Sequence, residues 1–488
     1  MRRRISSFAA LVILAVSGMV HLSPPSPAGV FPPAAAPLLK VSENRRYLQY
    51  AEGRPFFYLG DTAWELFHRL NREEATQYLT NRAQKGFTVI QAVVIAQLGG
   101  RDVPNPYGDL PIVENDPARP NEAYFRHVDF IVNKAEELGL FVGMLPTWGS
   151  YWATGQSIFT PANARSYGQF LGKRYKNKPI IWILGGDRSI ANNEERAIID
   201  AMAAGLAEGD GGAHLKTFHP IGPGLSSIKL HNAPWLDFNM FQSSHAAHDH
   251  DTGLYVENDY TLQPAKPTMD GEPHYEAIPV GFYLRNASGI DRFDDYDVRQ
   301  SAYWSLLAGA CGYTYGNNNI WQMYKPATGG GTPDSSRPRD LFGAPGGIIG
   351  ANIPWFEAMD HPGAFQMRHV RRLFESLPFT KLVPDQGLIL NGPMTGGARI
   401  RAARASDGSF ALIYSPRGEG FTLNKNVIKA ERQRETWYDP RYGVSYHIKE
   451  QDAWGIQTYT PPTSGRGCDW VLVLTDATAG FRLPGNAR

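Results

Sequence analysis

The sequence predicts an α/β chain in two parts, a (β/α)8 TIM barrel followed by an antiparallel β-sandwich. Three observations carry this. Apolar runs of strand length alternate with helix-patterned segments from residue 56 to residue 377, the alternation that builds a parallel sheet flanked by helices. No Gly-x-Gly-x-x-Gly follows any of those runs, which weakens a doubly wound open sheet as the competing architecture. From about Pro384 the helix periodicity stops, and short β-type runs separated by Gly, Pro, Asn and Asp take over, as in a sandwich. The expected partition is a leader over 1–30, a barrel over 38–380 and a sandwich over 384–488.

Each element has its own signal. Arg2-Arg3-Arg4, an apolar stretch over 8–20 and small residues with prolines through Ala28 read as an export signal. The stretch is short for a membrane span, and an uncleaved anchor is the alternative. A secreted or periplasmic protein is expected, its mature chain starting between Ser23 and Pro37. Tyr47-Leu48-Gln49-Tyr50 and Pro55-Phe56-Phe57 flank Glu52-Gly53 as a small hairpin closing the bottom of the barrel. Barrel strands are expected at 56–60, 87–95, 141–145, 180–184, 217–221, 238–242, 267–270 and 312–315. Helices are expected at 71–85, 125–138, 163–175, 194–207, 296–308 and 361–377. The first is capped by Asn71, carries Glu73 and Glu74 in its first turn and stops at Gly86. Sandwich strands are expected at 388–390, 399–403, 410–414, 436–438 and 470–474. Gly329-Gly330-Gly331 is a low-complexity tract.

Charge excludes some partners. Lys and Arg number 48 against 47 Asp and Glu, so nothing argues for nucleic acid or an anionic membrane surface. The aromatic surplus, 11 Trp, 23 Tyr and 24 Phe, suits stacking against sugars as well as core packing. The two cysteines, Cys311 and Cys468, fall in different predicted domains within apolar runs. They are expected as buried unpaired thiols rather than a disulfide framework.

In a barrel, polar residues at the C-terminal strand ends face one bowl, where active sites lie. Asp187 ends the strand Ile180-Ile181-Trp182-Ile183-Leu184 after Gly185-Gly186, and Glu272 ends Thr268-Met269-Asp270-Gly271 before Pro273. Two carboxylates across one cleft are what glycoside hydrolysis needs: one protonates the leaving oxygen, the other attacks carbon or activates water. A helix cap is the rival reading of Asp187 and a salt bridge that of Glu272. Asp61 and Trp64 follow the first strand as hydroxyl ligand and wall, or as cap and core. Trp148, Tyr151 and Trp152 are stacking platforms or loop packing. His219 and His245 follow the fifth and sixth strands as hydroxyl ligands or structural histidines. Asn317, in Asn317-Asn318-Asn319, is a turn or a hydroxyl-binding edge. Arg188 keeps a neighbouring acid ionised or pairs with Glu194. The cluster His245, His248, Asp249, His250 and Asp251 matches no standard ligand spacing, so a loop bordering the cleft is expected and no metal or cofactor. Gly-x-Ser-x-Gly, P-loop and His-Glu-x-x-His motifs do not occur, which removes the commonest serine-hydrolase, nucleotide and zinc-peptidase readings.

Four strings in order, Gly60-Asp61-Thr62-Ala63-Trp64, Trp182-Ile183-Leu184-Gly185-Gly186-Asp187, Asp270-Gly271-Glu272-Pro273-His274-Tyr275-Glu276 and Thr314-Tyr315-Gly316-Asn317 with Ile320-Trp321, resemble the apiosidase-like glycoside hydrolases. Trp437-Tyr438-Asp439-Pro440-Arg441-Tyr442-Gly443 is similar to the motif of the collagen-binding-type sandwich that commonly follows such a barrel. The resemblance implies a retaining mechanism with Asp187 as acid/base and Glu272 as nucleophile. It brings Tyr275 and Trp321 into the substrate-binding set, with a polysaccharide or oligosaccharide as partner. The activity it implies is release of apiose, or of a related furanoside or deoxysugar, from a polysaccharide side chain. Related retaining barrels usually carry Asn-Glu where this chain has Gly186-Asp187. An inverting hydrolase and a non-catalytic carbohydrate-binding barrel are the rival outcomes.

Overall fold

The computed structural model describes residues 37–153, 155, 157–284, 289–326 and 348–485. The expected export signal and the Gly329-Gly330-Gly331 tract lie outside the described residues. Eight parallel strands form the barrel: β1 Tyr58–Thr62, β2 Val89–Ile95, β3 Phe141–Thr147, β4 Ile180–Gly185, β5 Lys216–His219, β6 Asn239–Gln242, β7 Thr268–Glu272 and β8 Gly312–Asn317. Their order is β5-β4-β3-β2-β1-β8-β7-β6, and β8 closes on β1 with Tyr313 opposite Leu59. Between β5 and β6 the wall is joined by single bonds: the Asp237 amide donates to the Lys216 carbonyl (2.9 Å), and the Thr217 hydroxyl to the Phe238 carbonyl (2.7 Å). The strands are buried on both faces, hence the unbroken apolar runs in sequence.

The predicted strands sit where expected, but five C-terminal ends extend by one or two residues and β5 stops at His219 rather than Ile221. β7 runs to Glu272 rather than Asp270, and β8 to Asn317 rather than Tyr315. The helices are α1 Arg72–Gln84, α2 Glu122–Glu137, α3 Pro161–Tyr175, α4 Asn193–Asp210, α5 Gly253–Tyr260, α6 Asp295–Leu307 and α7 Pro362–Glu375. Caps explain their starts: Asn71 with Glu74, Thr160 with Asn163, and Asp294 with Asp297 form reciprocal boxes. Leu48–Tyr50 pairs with Pro55–Phe56 as the expected hairpin, with Leu39–Val41 as a third strand.

The C-terminal part is an antiparallel sandwich of nine strands. They are β9 Leu382–Pro384, β10 Ile389–Asn391, β11 Arg401–Ala405, β12 Phe410–Ser415, β13 Phe421–Asn424, β14 Arg432–Asp439, β15 Val444–Asp452, β16 Ile456–Tyr459 and β17 Trp470–Asp476. One sheet has the order β9-β11-β12-β17-β14-β15 and the other β10-β13-β16. The larger sheet is buried twice. Ala402, Ile413 and Leu472 face the smaller sheet, while Ala403, Leu412, Tyr414 and Val473 pack on the barrel. There Tyr414 stacks on Tyr303 of α6 (4.7 Å between centroids), and buried Arg299 of α6 forms a two-pronged pair with Asp469 (2.8 and 2.7 Å). Cys311 and Cys468 are unpaired; Cys311 is buried and Cys468, expected buried, is half-buried.

Candidate active site

β4 ends in three residues with left-handed backbone: Gly185 (φ 95°), Gly186 (φ 96°) and Asp187 (φ 52°). Only glycine fits the first position, because a Cβ there would run into the His219 carbonyl oxygen. The turn is held through its own peptide groups. The Gly186 amide donates to the His219 carbonyl (3.1 Å) and the Asp187 amide to His219 Nδ1 (3.3 Å). The Gly149 amide donates to the Gly186 carbonyl (2.8 Å), and the Trp152 indole to the Gly185 carbonyl (2.8 Å). Asp187 is thereby aimed into a cavity of about 350 Å³ at the C-terminal ends of the strands. Burial, and then the nearby Glu272 charge, push its carboxyl up to about 7, against smaller opposing effects of His219, Arg188 and a Gln242 hydrogen bond.

Glu272 is aimed by a β-bulge. Phe241 of β6 pairs with Asp270 of β7, but the next residue, Gln242, pairs with Glu272, so Gly271 is the extra residue. A Cβ at Gly271 would collide with Met240, and its carbonyl accepts from the Gln91 amide (2.9 Å). The carboxylate meets an imidazole on each oxygen. His245 Nε2 lies 3.1 Å from Oε1 and His219 Nε2 3.2 Å from Oε2. Because His219 Nδ1 accepts the Asp187 amide, the Nε2 proton faces Glu272. Burial alone would raise the Glu272 carboxyl, but these two N–H groups hold it down at about 2. The Tyr275 hydroxyl also hydrogen-bonds Glu272 and accepts from the Trp64 indole (3.1 Å). One cavity therefore holds one carboxyl pushed up and one held down, separated by environment.

A family model described as "Apiosidase-like, catalytic domain" matches residues 42–381. The chain belongs to the apiosidase-like family. A second model, "Putative collagen-binding domain of a collagenase", matches residues 383–475. A solved structure described as a glycoside hydrolase is 34% identical over 91% of this chain and 98% of its own, with a TM-score of 0.81. A glycoside hydrolase family 5 protein from Bacteroides vulgatus ATCC 8482 is 32% identical over 91% and 95%, also at 0.81. No curated protein matches. The chain is a glycoside hydrolase on the apiosidase-like scaffold.

In this apiosidase-like barrel, Trp64, Trp148, His245, Tyr275 and Trp321 line the cavity with Asp187 and Glu272. Three expected substrate ligands do not. Asp61 has no exposed surface; it is paired with Arg82 (2.8 Å) and accepts from the Tyr78 hydroxyl (2.5 Å), tying β1 to α1. Asn317 is buried, accepts from the Asn319 amide (2.9 Å) and bonds His361 (2.9 Å), so it shapes the turn after β8. His219 lies behind Glu272, fully buried, rather than on the cavity wall. Tyr151 and Trp152 pack the loop after β3 through bonds to the Ala96 and Gly185 carbonyls. Arg188 donates to the Asp187 carbonyl (2.6 Å) instead of pairing with Glu194. The histidine–aspartate cluster is dispersed: His248 pairs with Asp291 and Asp297, His250 meets the Tyr255 hydroxyl, and Asp249 and Asp251 face sandwich arginines. Sequence reading missed Gln242, Phe282 and Tyr283 on the wall. Gln242 was recoverable as the polar end of β6, whereas the loop bearing Phe282 and Tyr283 has no periodic signal.

Proposed function

We propose that this enzyme is an exported retaining glycosidase that cleaves a sugar from a polysaccharide side chain, with Glu272 as nucleophile and Asp187 as acid/base. The observation that supports it most is the contrast between two carboxyls lining one cavity: Glu272 lies between two imidazoles that favour its carboxylate, and Asp187 is buried where its protonated form is favoured. Glu272 attacks the anomeric carbon as a carboxylate. The C–O bond to the leaving group breaks as Asp187 gives its proton to the departing oxygen, leaving an ester between the sugar and Glu272. Asp187, now a carboxylate, takes a proton from water; the water oxygen attacks the anomeric carbon, and Glu272 leaves as carboxylate. Trp64, Trp148 and Trp321 supply apolar walls of the kind sugar faces stack on. The resemblance to apiosidases favours a branched furanoside or a deoxysugar at the end of a pectic side chain.

The test is sugar release from pectic oligosaccharides and aryl glycosides by wild type, Glu272→Gln and Asp187→Ala, with the first-formed anomer read by NMR. Release abolished in Glu272→Gln and a product of retained configuration are expected. Release surviving both substitutions would remove the site assignment; an inverted product would replace the nucleophile by a base. Affinity without turnover in the wild type would make the barrel a binding protein. N-terminal sequencing of protein recovered outside the cytoplasm, starting between Ser23 and Pro37, checks the export signal.

A further inference from the structure

The run from Ser244 to Gly253 touches the active site at one end and the sandwich at the other. At its start, Ser244 has left-handed backbone (φ 85°) and its hydroxyl meets that of Tyr283, while His245 Nε2 reaches Glu272. The Gly281 amide donates to the His245 carbonyl (2.7 Å), so the same start also fixes the loop bearing Phe282 and Tyr283. Further on, arginines of the sandwich and its linkers grip the run. Arg417 pairs with Asp249 (2.5 Å), whose carboxylate sits so close to Gly397 that a Cβ there would collide with it. Arg401, almost fully buried, holds both oxygens of Asp251 (2.8 Å each) and reaches Glu257 of α5 (2.6 Å). Arg399 contacts the same two acids (2.9 and 3.0 Å). Arg466 pairs with Asp297 (2.9 Å), which also bonds His248 (3.0 Å).

A chain segment fixed at both ends by buried polar contacts has little freedom between them. Asp249 lies four residues from His245. We infer that the sandwich is a working part of the active site: Arg417 and Arg401 are positioning residues that, through Asp249 and Asp251, hold His245 against Glu272. This rests on Glu272 being the nucleophile. It gives the sandwich a role at the chemistry that a binding domain on a flexible tether would not have.

The groups facing Glu272 are His219 from β5, His245 from the run after β6, Asp187 after β4, and Asp270 and Tyr275 on its own segment. Of these, only His245 is carried by the gripped run. Loss of its N–H destabilises the carboxylate, so the acidic limb of kcat/KM moves upward, by about one pH unit for one hydrogen bond to a charged group. The experiment measures kcat, KM and the pH profile of full-length Arg417→Met, Arg401→Met, His245→Ala and Arg417→Met/His245→Ala, beside Arg417→Lys. Expected are a loss of about tenfold in kcat for Arg417→Met from misplacement, an upward acidic limb, recovery in Arg417→Lys, and no further loss when Arg417→Met is added to His245→Ala. Arg417 is partly exposed, so that series stays readable if Arg401→Met fails to fold. A lowered Tm with wild-type kcat and acidic limb would overturn the inference, as would losses that multiply in the double variant. Activity retained in Glu272→Gln would instead overturn the nucleophile assignment beneath it.

Discussion

Replacing Glu272 by Gln should lower the pKa of Asp187, and the size of the fall reports the interaction that would let one carboxyl serve as both acid and base in the proposed mechanism. Asp187 is raised to about 7, first by burial and then by the Glu272 charge. Gln keeps the shape and removes the charge. Carboxyls about 5.5 Å apart, the retaining separation, interact by about 3 kcal/mol at an effective dielectric of about 20, or about two pH units. An inverting separation of about 8 Å gives about 1.5 units. In Glu272→Gln, Asp187 should therefore titrate near pH ~5, measured by 13C NMR of protein labelled at aspartate carboxyls, with Asp187→Asn identifying the resonance. The sign follows from removing a like charge, which makes the carboxylate easier to form. The same fall would accompany the glycosyl-enzyme, where Glu272 is esterified and neutral, turning Asp187 from donor into acceptor for the second step. An Asp187 carboxyl that titrates near 7 in both proteins would refute the coupling, and one at the ordinary value in wild type would refute the effect of burial.

In wild type, kcat/KM should hold through mildly acidic pH and fall as pH rises through about 7, because Asp187 must carry its proton while Glu272, held at about 2, is ionised throughout; an acidic limb in the ordinary carboxylate range would place the essential carboxylate elsewhere. Asp61→Ala leaves Arg82 charged and buried, so urea unfolding should show a loss of about 3–5 kcal/mol with KM unchanged; a raised KM at undiminished stability would return Asp61 to the substrate set. Trp148→Phe removes a buried indole N–H that has no protein partner among the described residues. KM should rise about fivefold, about 1 kcal/mol, with Tm little changed, and an unchanged KM would mean that the N–H meets no substrate hydroxyl.

The rule that polar residues ending buried strands face one bowl brought out Asp187 and Glu272, because β4 is apolar to its end and β7, Thr-Met-Asp-Gly-Glu, is buried along its whole length and ends on an acid. It misplaced Asp61, since a strand end has two sides and the deciding partner, Arg82, sits on α1 in the next layer. His219 and His245 each read as lone histidines; only the barrel's closure shows that both reach one carboxylate. The bulge at Gly271 was invisible because a glycine before an acid looks like any turn. In the sandwich, β15 was missed because it is an exposed edge whose short Val444, Tyr446, Ile448 alternation runs out into Lys-Glu-Gln-Asp.

The two carboxyls are held in different ways, and the difference suits the tasks proposed for them. Asp187 is one methylene shorter than the Glu of related barrels, so its main chain must come closer to the cavity. Two glycines and a left-handed aspartate bring it there, and peptide groups of His219, Gly149 and Gly186 lock the turn. The backbone is fixed while the carboxyl itself feels Glu272 and His219 through charge and meets Arg188 and Gln242 as hydrogen-bond donors. That leaves it able to gain and lose a proton within one cycle. Glu272 is held through its own oxygens, each facing an imidazole. Imidazoles against both oxygens favour the carboxylate and make protonation costly, which the proposed nucleophile tolerates and an acid could not. The geometry thus suits the residue fixed by its backbone to the proposed proton-exchanging role and the residue fixed by its side chain to the proposed permanent charge.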